Sequence, residues 1–385
     1  MQSISFYTSS GIEMRPGLID DLAQFIQQLS AQSVLIISDA GLVKLGIIKK
    51  AQTALTIAGV NHACFSEVQA DPSEATVLAA VAKAKSTQAD LIIGFGGGSS
   101  MDVAKIIALL AHPFCQQTLA QLYGIDKVTG NRLALVQIPT TAGTGSEVTP
   151  IAIITTGNTT KAGIVSKKLL PDLALLDPEL TLGLPPAITA ATGIDAMVHA
   201  IEAFTSAHKK NPLSDALARQ ALKLLSAHLL GAVSDGSNLA ARSAMLLGAC
   251  LAGQAFANAP VAAVHALAYP LGGHYHIPHG LSNALVLTAV LRFNASHAYL
   301  LYAQLASIFV VKPATDPKTA CQQLINALDE LVKNTQLPTR LRDLNVARES
   351  LPRLAADAML QQRLLINNPK PMSESDALKI YQSIY

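Results

Sequence analysis

The chain of 385 residues has no tryptophan, and its eight tyrosines and nine phenylalanines are only 4% of it. Little material is left for base-stacking platforms or interfacial aromatic belts, so neither a nucleic-acid nor a membrane partner is expected. Charge is scarce as well. Asp, Glu, Lys and Arg make up 14% of the chain, 28 basic against 26 acidic residues with no long like-charge run, so nothing draws in a polyanion or an anionic bilayer. Cysteine is confined to Cys64, Cys115, Cys250 and Cys321, far apart and without a CxxC pair. That suits reduced thiols and excludes a cysteine zinc site. A clean apolar run is missing too: the most apolar stretch, Met245 to Leu271, is interrupted by Gln254, Asn258 and His265, short of the roughly 20 residues that cross a bilayer. It reads as buried helix. The start, MQSISFYTSS, has neither a basic region nor an apolar core of signal-peptide length, so the expected location is the cytoplasm.

What is present is apolar bulk. Half of the chain is hydrophobic, too much for disorder and suited to large buried helices and to subunit contacts, so a homodimer or higher homo-oligomer is expected. The length allows two or three domains at roughly 150 residues each. In the first half, SVLIIS (33–38), DLIIG (90–94) and LALVQI (133–138) read as buried strands, with helical spacing over 72–85 and 100–111. Such alternation predicts a mostly parallel sheet with helices on both faces. After Leu184-Pro185-Pro186 the strand signal stops, and periodic segments follow at 187–206, 212–234, 238–257, 262–272 and 279–296. The change of period at a double proline sets a boundary: an α/β domain over 1–184 and an all-helical domain over 185–385.

Two polar turns follow buried strands. FGGGSSMDVAK brings glycines and serines between a strand and a helix, the context in which bare backbone N–H groups and a helix dipole hold a phosphate. It is neither GxGxxG nor a P-loop, and a plain glycine turn capped by Ser99 or Ser100 would read the same way. PTTAGTGSEVT (139–149) supplies many hydroxyls behind the next strand. Asp39 ends the strand SVLIIS, ahead of the glycines where the familiar dinucleotide fold has its acidic residue after them. Either it only caps a helix, or the sheet is wound so that a ribose-binding strand precedes the phosphate loop.

The helical half holds the sharpest signal. Ten histidines in the chain predict about 0.4 per window of 15 residues, yet His265, His274, His276 and His279 share one. Upstream, Asp195 and His199 stand four residues apart, stacked on one helix face. In apolar helix an unpaired imidazole or carboxylate would cost several kcal/mol, and coordination compensates it. Imidazoles with one carboxylate suit Fe(II) or Zn(II) and not Mg or Ca.

The segments GGGSSMDVAK, PTTAGTGSEVT, LLDPELTLGLP, GIDAMVHAIEAF and HALAYPLGGHYHIPHGLSNA, in this order, resemble those of the iron-containing (group III) alcohol dehydrogenases over roughly residues 11–294. The resemblance implies a dinucleotide-binding α/β domain and a helical metal-binding domain in a dehydroquinate synthase-like architecture, with a catalytic metal in the cleft between them. Residue by residue it assigns Asp195, His199, His265 and His279 to the metal, iron or else zinc. Asp39, Gly97, Gly98, Ser99, Asp102, Thr140, Thr141, Thr144 and Lys161 go to NAD. The implied reaction is hydride transfer between a small primary alcohol or diol and NAD, the ion polarising the substrate oxygen, with a related hydroxy-acid dehydrogenase of the same family as one alternative. Many members carry a histidine four residues after the third ligand; this chain has Tyr269, which, like the ribose, is a candidate proton relay. Asp71-Pro72 stands where the family often has Asn-Pro. A lyase resembling dehydroquinate synthase would need several cationic residues for a phosphorylated substrate. Between Gly193 and Gly280 the basic residues are Lys209, Lys210, Arg219, Lys223 and Arg242, all outside the metal motifs. A metal-stabilised binding protein would leave the two polar turns unexplained.

Overall fold

The computed structural model describes residues 4–157 and 160–385. Its strands are β1 (Gly11–Met14), β2 (Ser33–Ile37), β3 (Asn61–Phe65), β4 (Leu91–Gly96), β5 (Gly124–Ile125), β6 (Ala134–Pro139), β7 (Ile151–Thr156), β8 (Thr160–Val165) and β9 (Leu173–Leu176). The helices of the first half are α1 (Leu22–Gln28), α2 (Ala40–Lys44), α3 (Ile47–Ile57), α4 (Glu74–Ser86), α5 (Gly98–Leu110) and α6 (Leu119–Leu122). Those of the second half are α7 (Pro186–Thr205), α8 (Pro212–Ser234), α9 (Leu239–Asn258), α10 (Ala263–Tyr275), α11 (His279–Phe309), α12 (Pro317–Asn334), α13 (Leu351–Met359), α14 (Gln362–Leu365) and α15 (Glu374–Ser383). Two compact units result: Tyr7–Gly183, and Leu184–Tyr385 with the described residues ahead of Tyr7.

In the first unit six strands pair in parallel in the order β1-β9-β6-β4-β2-β3. Alternation along β2 sorts the two faces. Val34 and Ile36 pack with residues of α1 and α3, such as Ile26 and Ile48. Leu35 and Ile37 pack with residues of α4 and α5, such as Val77 and Ile107. Burial on both faces is why these strands read as continuous apolar runs. A second sheet, β5-β8-β7, joins an antiparallel β7–β8 hairpin to the short β5. This hairpin is not among the expected strands: its apolar run IAII (151–154) is short and gives way to Thr155, Thr156 and Gly157. β7 buries only alternate residues, Ala152 and Ile154.

The second unit is helical throughout its described residues. α7 lies among α8, α9 and α11, which leaves nearly every residue from Thr189 to Thr205 buried. The stretch Met245–Leu271 is not one helix: α9 ends at Asn258, Pro260 falls in the break, and α10 begins at Ala263. α11 runs on past residue 296 to Phe309, since no glycine or proline interrupts it there. By length and composition alone α9 and α11 could cross a membrane, yet 61% and 50% of their most apolar windows are buried inside the unit, as core helices are. α11 starts against α7 through Gly280, where an added Cβ would run into the carbonyl of Ala191 and meet its carbonyl carbon at 2.7 Å. Only glycine permits that approach, and it sets the first turn of α11 beside the N-terminal part of α7, one turn before Asp195.

Candidate metal centre and cofactor-binding edge

Asp195 and His199 project from one face of α7. His265 sits in the first turn of α10, and His279 is the first residue of α11. Three helices thus converge so that one ligand atom from each of the four residues lies within 4.8 Å of the other three. His279, His265 and His199 approach Asp195 Oδ1 through Nε2 at 3.7, 3.9 and 4.0 Å. His199 stacks on Phe256 and on His265, with ring centres 4.3 and 4.7 Å apart. The side chains of Asp195, His265 and His199 are 2, 3 and 5% exposed, whereas that of His279 is 43% exposed, so the cluster meets solvent on the His279 side. Burial by itself would raise the Asp195 pKa. The facing imidazoles and a hydrogen bond from Asn283 outweigh burial and hold the carboxyl below its ordinary value.

Two residues that the sequence analysis did not single out hold this arrangement. Glu202, one turn beyond His199, accepts the backbone N–H of Val264 at Oε1 and meets His265 Nδ1 at Oε2, both at 2.7 Å. It thereby caps the start of α10 and orients a ligand. Facing an oxygen that can only accept, Nδ1 carries the proton, and the Nε2 lone pair is turned to the cluster. Asn283, one turn after His279, donates from Nδ2 to Asp195 Oδ1 at 2.6 Å and stands 3.4 and 3.3 Å from Nε2 of His265 and His279. A partially positive amide group is therefore held among three of the four ligand atoms. That, with one carboxylate and three imidazoles as donor set, fits a divalent transition ion.

Tyr269 lies one turn after His265 and turns its ring to His279, with centres 5.9 Å apart. Its hydroxyl accepts from Arg363 Nη2 of α14 at 3.3 Å. Arg363 lies well beyond Gly280 in the chain, and no sequence spacing links it to His279. His274 is tied to Asp357 of α13 at 2.6 Å, and the exposed His276 ends α10 in a left-handed conformation (φ 53°), so both serve the helix rather than the cluster.

In the α/β unit, the parallel pairing of β2 with β4 (Ile37 opposite Gly94) sets the Asp39 end of β2 beside the β4–α5 turn. Asp39 is also a helix cap: its Oδ1 accepts the Leu42 N–H of α2. The two readings of Asp39 left open by its spacing are therefore compatible. Gly97 caps α5, with Gly98 and Ser99 in its first turn. An added Cβ on Gly98 would meet Thr144 at 2.9 Å, one on Gly97 would meet Thr141 at 3.8 Å, and Thr140 N–H donates to the Gly96 carbonyl. The two polar turns thus lie against each other at the carboxyl edge of the sheet, where ligands bind in open α/β folds. Asp102 accepts from Ser146 Oγ (2.6 Å), from the Ile153 N–H (2.9 Å) and from Lys105 Nζ (3.4 Å), clamping the second turn to α5. The fully buried Lys105 also donates to Ser146, Thr149 and the Ile151 carbonyl, and burial lowers its pKa. Lys161 lies on the hairpin, paired with Asp71 and donating to Thr155. Asp71 in turn adopts φ 57° and its carbonyl accepts the Thr155 hydroxyl, which gives this position a part in holding the hairpin.

Residues 10–178 match the family described as iron-containing alcohol dehydrogenase, and residues 189–385 match the C-terminal part of the Fe-containing alcohol dehydrogenase family. The long-chain-alcohol dehydrogenase 1 of Geobacillus thermodenitrificans (strain NG80-2) is 38% identical over 374 residues, covering 96% of this chain and 93% of that protein. A 1,3-propanediol oxidoreductase crystal structure superimposes with a TM-score of 0.95 at 35% identity, covering all of both chains. The sulfoacetaldehyde reductase from Bifidobacterium kashiwanohense, solved with NAD+, has a TM-score of 0.89 at 27% identity and covers 100% of this chain and 99% of its own. The chain belongs to the iron-containing alcohol dehydrogenase family and is an oxidoreductase of that class.

Proposed function

We propose that this protein interconverts small primary alcohols or diols and their aldehydes with NAD, using one divalent ion held by Asp195, His199, His265 and His279. The observation that carries the reading is the convergence of those four side chains from three helices. Iron accords with the family, and zinc suits the same donor set. Bound there, the ion supplies Lewis acidity that lowers the pKa of an alcohol, and NAD supplies the hydride acceptor.

The chain's own residues do the rest. Glu202 fixes the His265 tautomer, and Asn283 holds the Asp195 carboxylate. The backbone N–H groups at Gly97, Gly98 and Ser99 and the α5 dipole receive the cofactor's phosphates. Thr140, Thr141 and Thr144 position the nicotinamide, with Asp102 acting through the loop it clamps. Asp39 accepts from the adenosine ribose hydroxyls and disfavours a 2′-phosphate, so NAD is preferred to NADP. Lys161 contributes cationic charge from the hairpin. Tyr269 keeps its own O–H proton while accepting from Arg363, so it can pass a proton between substrate oxygen and water. Four free cysteines, none in a disulfide, accord with a reducing cytoplasm. Substrates named among the relatives run from long-chain alcohols to propanediol and a sulfonated aldehyde, and leave the alcohol to be found by a panel. The test is NADH accumulation with a panel of small alcohols before and after chelation. Activity restored by Fe(II) or Zn(II) supports the proposal, and full activity in a metal-free preparation overturns it.

A further inference from the structure

The cluster meets solvent on the His279 side, and next to His279 stands Tyr269, whose hydroxyl and ring both face Arg363. The Arg363 guanidinium carbon lies 5.9 Å from the centre of the Tyr269 ring. Arg363 is half-buried. Its side chain donates to the Tyr269 hydroxyl, and among the described residues no carboxylate forms an ion pair with it. Arg132 and Arg292, by contrast, are paired with Asp172 and Asp329. A guanidinium presents five donors in a planar fork matched to carboxylate, sulfonate or phosphate oxygens, and one phenol satisfies one of them. A half-buried guanidinium with donors left over beside the open side of the cluster is placed to receive an anionic group of a ligand.

We infer that Arg363 is a specificity-determining residue that recognises an anionic group on the substrate, so that the preferred substrates are short-chain alcohols and aldehydes carrying a negative charge. This rests on the dehydrogenase reading of the His279 cluster and names its substrate class. The alternative is a purely structural role, with the guanidinium tying α14 to α10 across the Tyr269 ring. That role predicts equal effects on charged and neutral substrates.

The probes are 3-hydroxypropanoate and 1,3-propanediol, which match in length and differ in charge. With metal-loaded protein and no NAD, calorimetry reads binding of each without turnover; with NAD, steady-state kinetics give the ratio of kcat/KM for the acid over the diol. The expected result is that Arg363→Ala weakens 3-hydroxypropanoate binding and lowers that ratio by about tenfold or more, with Arg363→Lys intermediate. If Arg363→Ala does not fold, Arg363→Met, which keeps the stem against the ring, carries the same expectation. Binding and ratio within about twofold of wild type, or no binding of the acid by wild type, overturn the inference. Arg363-dependent binding without oxidation of either alcohol would sink the dehydrogenase reading and leave the anion site. Oxidation of both with an Arg363-independent ratio would do the reverse.

Discussion

Glu202→Gln removes one oxygen from a carboxylate that serves two donors at once, the Val264 N–H and His265 Nδ1, each at 2.7 Å. Glutamine offers one acceptor oxygen and one NH2 in that space. If the oxygen serves Val264, the NH2 faces Nδ1, and the imidazole must move its proton to Nε2, the atom turned to the other ligands. If the oxygen serves His265, the NH2 opposes the Val264 N–H, and a buried donor is left unpaired at about 1–3 kcal/mol. Either way the His265 lone pair is disfavoured or its helix strained. Loss of such a carboxylate partner typically costs ten- to hundredfold in metal affinity, about 1.4–2.8 kcal/mol. Glu202→Ala strips both acceptors and should also lower thermal stability more than the Gln variant does. The assay is competition for the metal against a chromophoric chelator at fixed pH, with circular dichroism recorded in parallel. A native-like Gln variant holding metal as tightly as wild type would refute the reasoning.

Asp39→Gly should improve the NADP/NAD ratio of catalytic efficiencies by about tenfold or more, roughly 1.4 kcal/mol. Replacing an Asp cap by Gly costs only a few tenths of a kcal/mol, so α2 should persist, and an unchanged ratio would remove Asp39 from the ribose site. Tyr269→Phe keeps the ring against His279 and deletes the hydroxyl. A relay role predicts a fall in kcat of about 10²- to 10⁴-fold with a flattened pH profile and unchanged metal content, and wild-type kcat across the profile would leave the ring as packing alone. Burial pushes the Glu147 carboxyl up to about 7, so the folded chain holds a proton that the unfolded one, near 4.5, has lost. Its contribution to stability is full below about 4.5, declines as pH rises and is lost through about 7. Glu147→Gln should flatten that decline, on the order of 3 kcal/mol, in denaturant titrations at a series of pH values, and a decline as steep as wild type would show that another group carries it.

The sequence by itself determined what depends on local spacing. Buried strands read as apolar runs, the glycine turn follows one of them, and Asp195 and His199 share a face because four residues make one helical turn. The crowding of histidines from His265 to His279 was legible for the same reason, since α10 and α11 are consecutive. Glu202 was within reach of that logic: it stands seven residues after Asp195 on the same face, and only its plainness as a helical glutamate hid it. Asn283 likewise lies one turn after His279. The hairpin was hidden because its apolar run IAII is short, gives way to threonines and a glycine, and buries only Ala152 and Ile154. What only the tertiary structure decided joins residues far apart in sequence: Asp102 with Ile153, Asp71 with Lys161, Tyr269 with Arg363. Each of these pairs is brought together by the packing of separate elements, and the period of a helix or strand records which face a residue occupies but not which distant residue will cover that face.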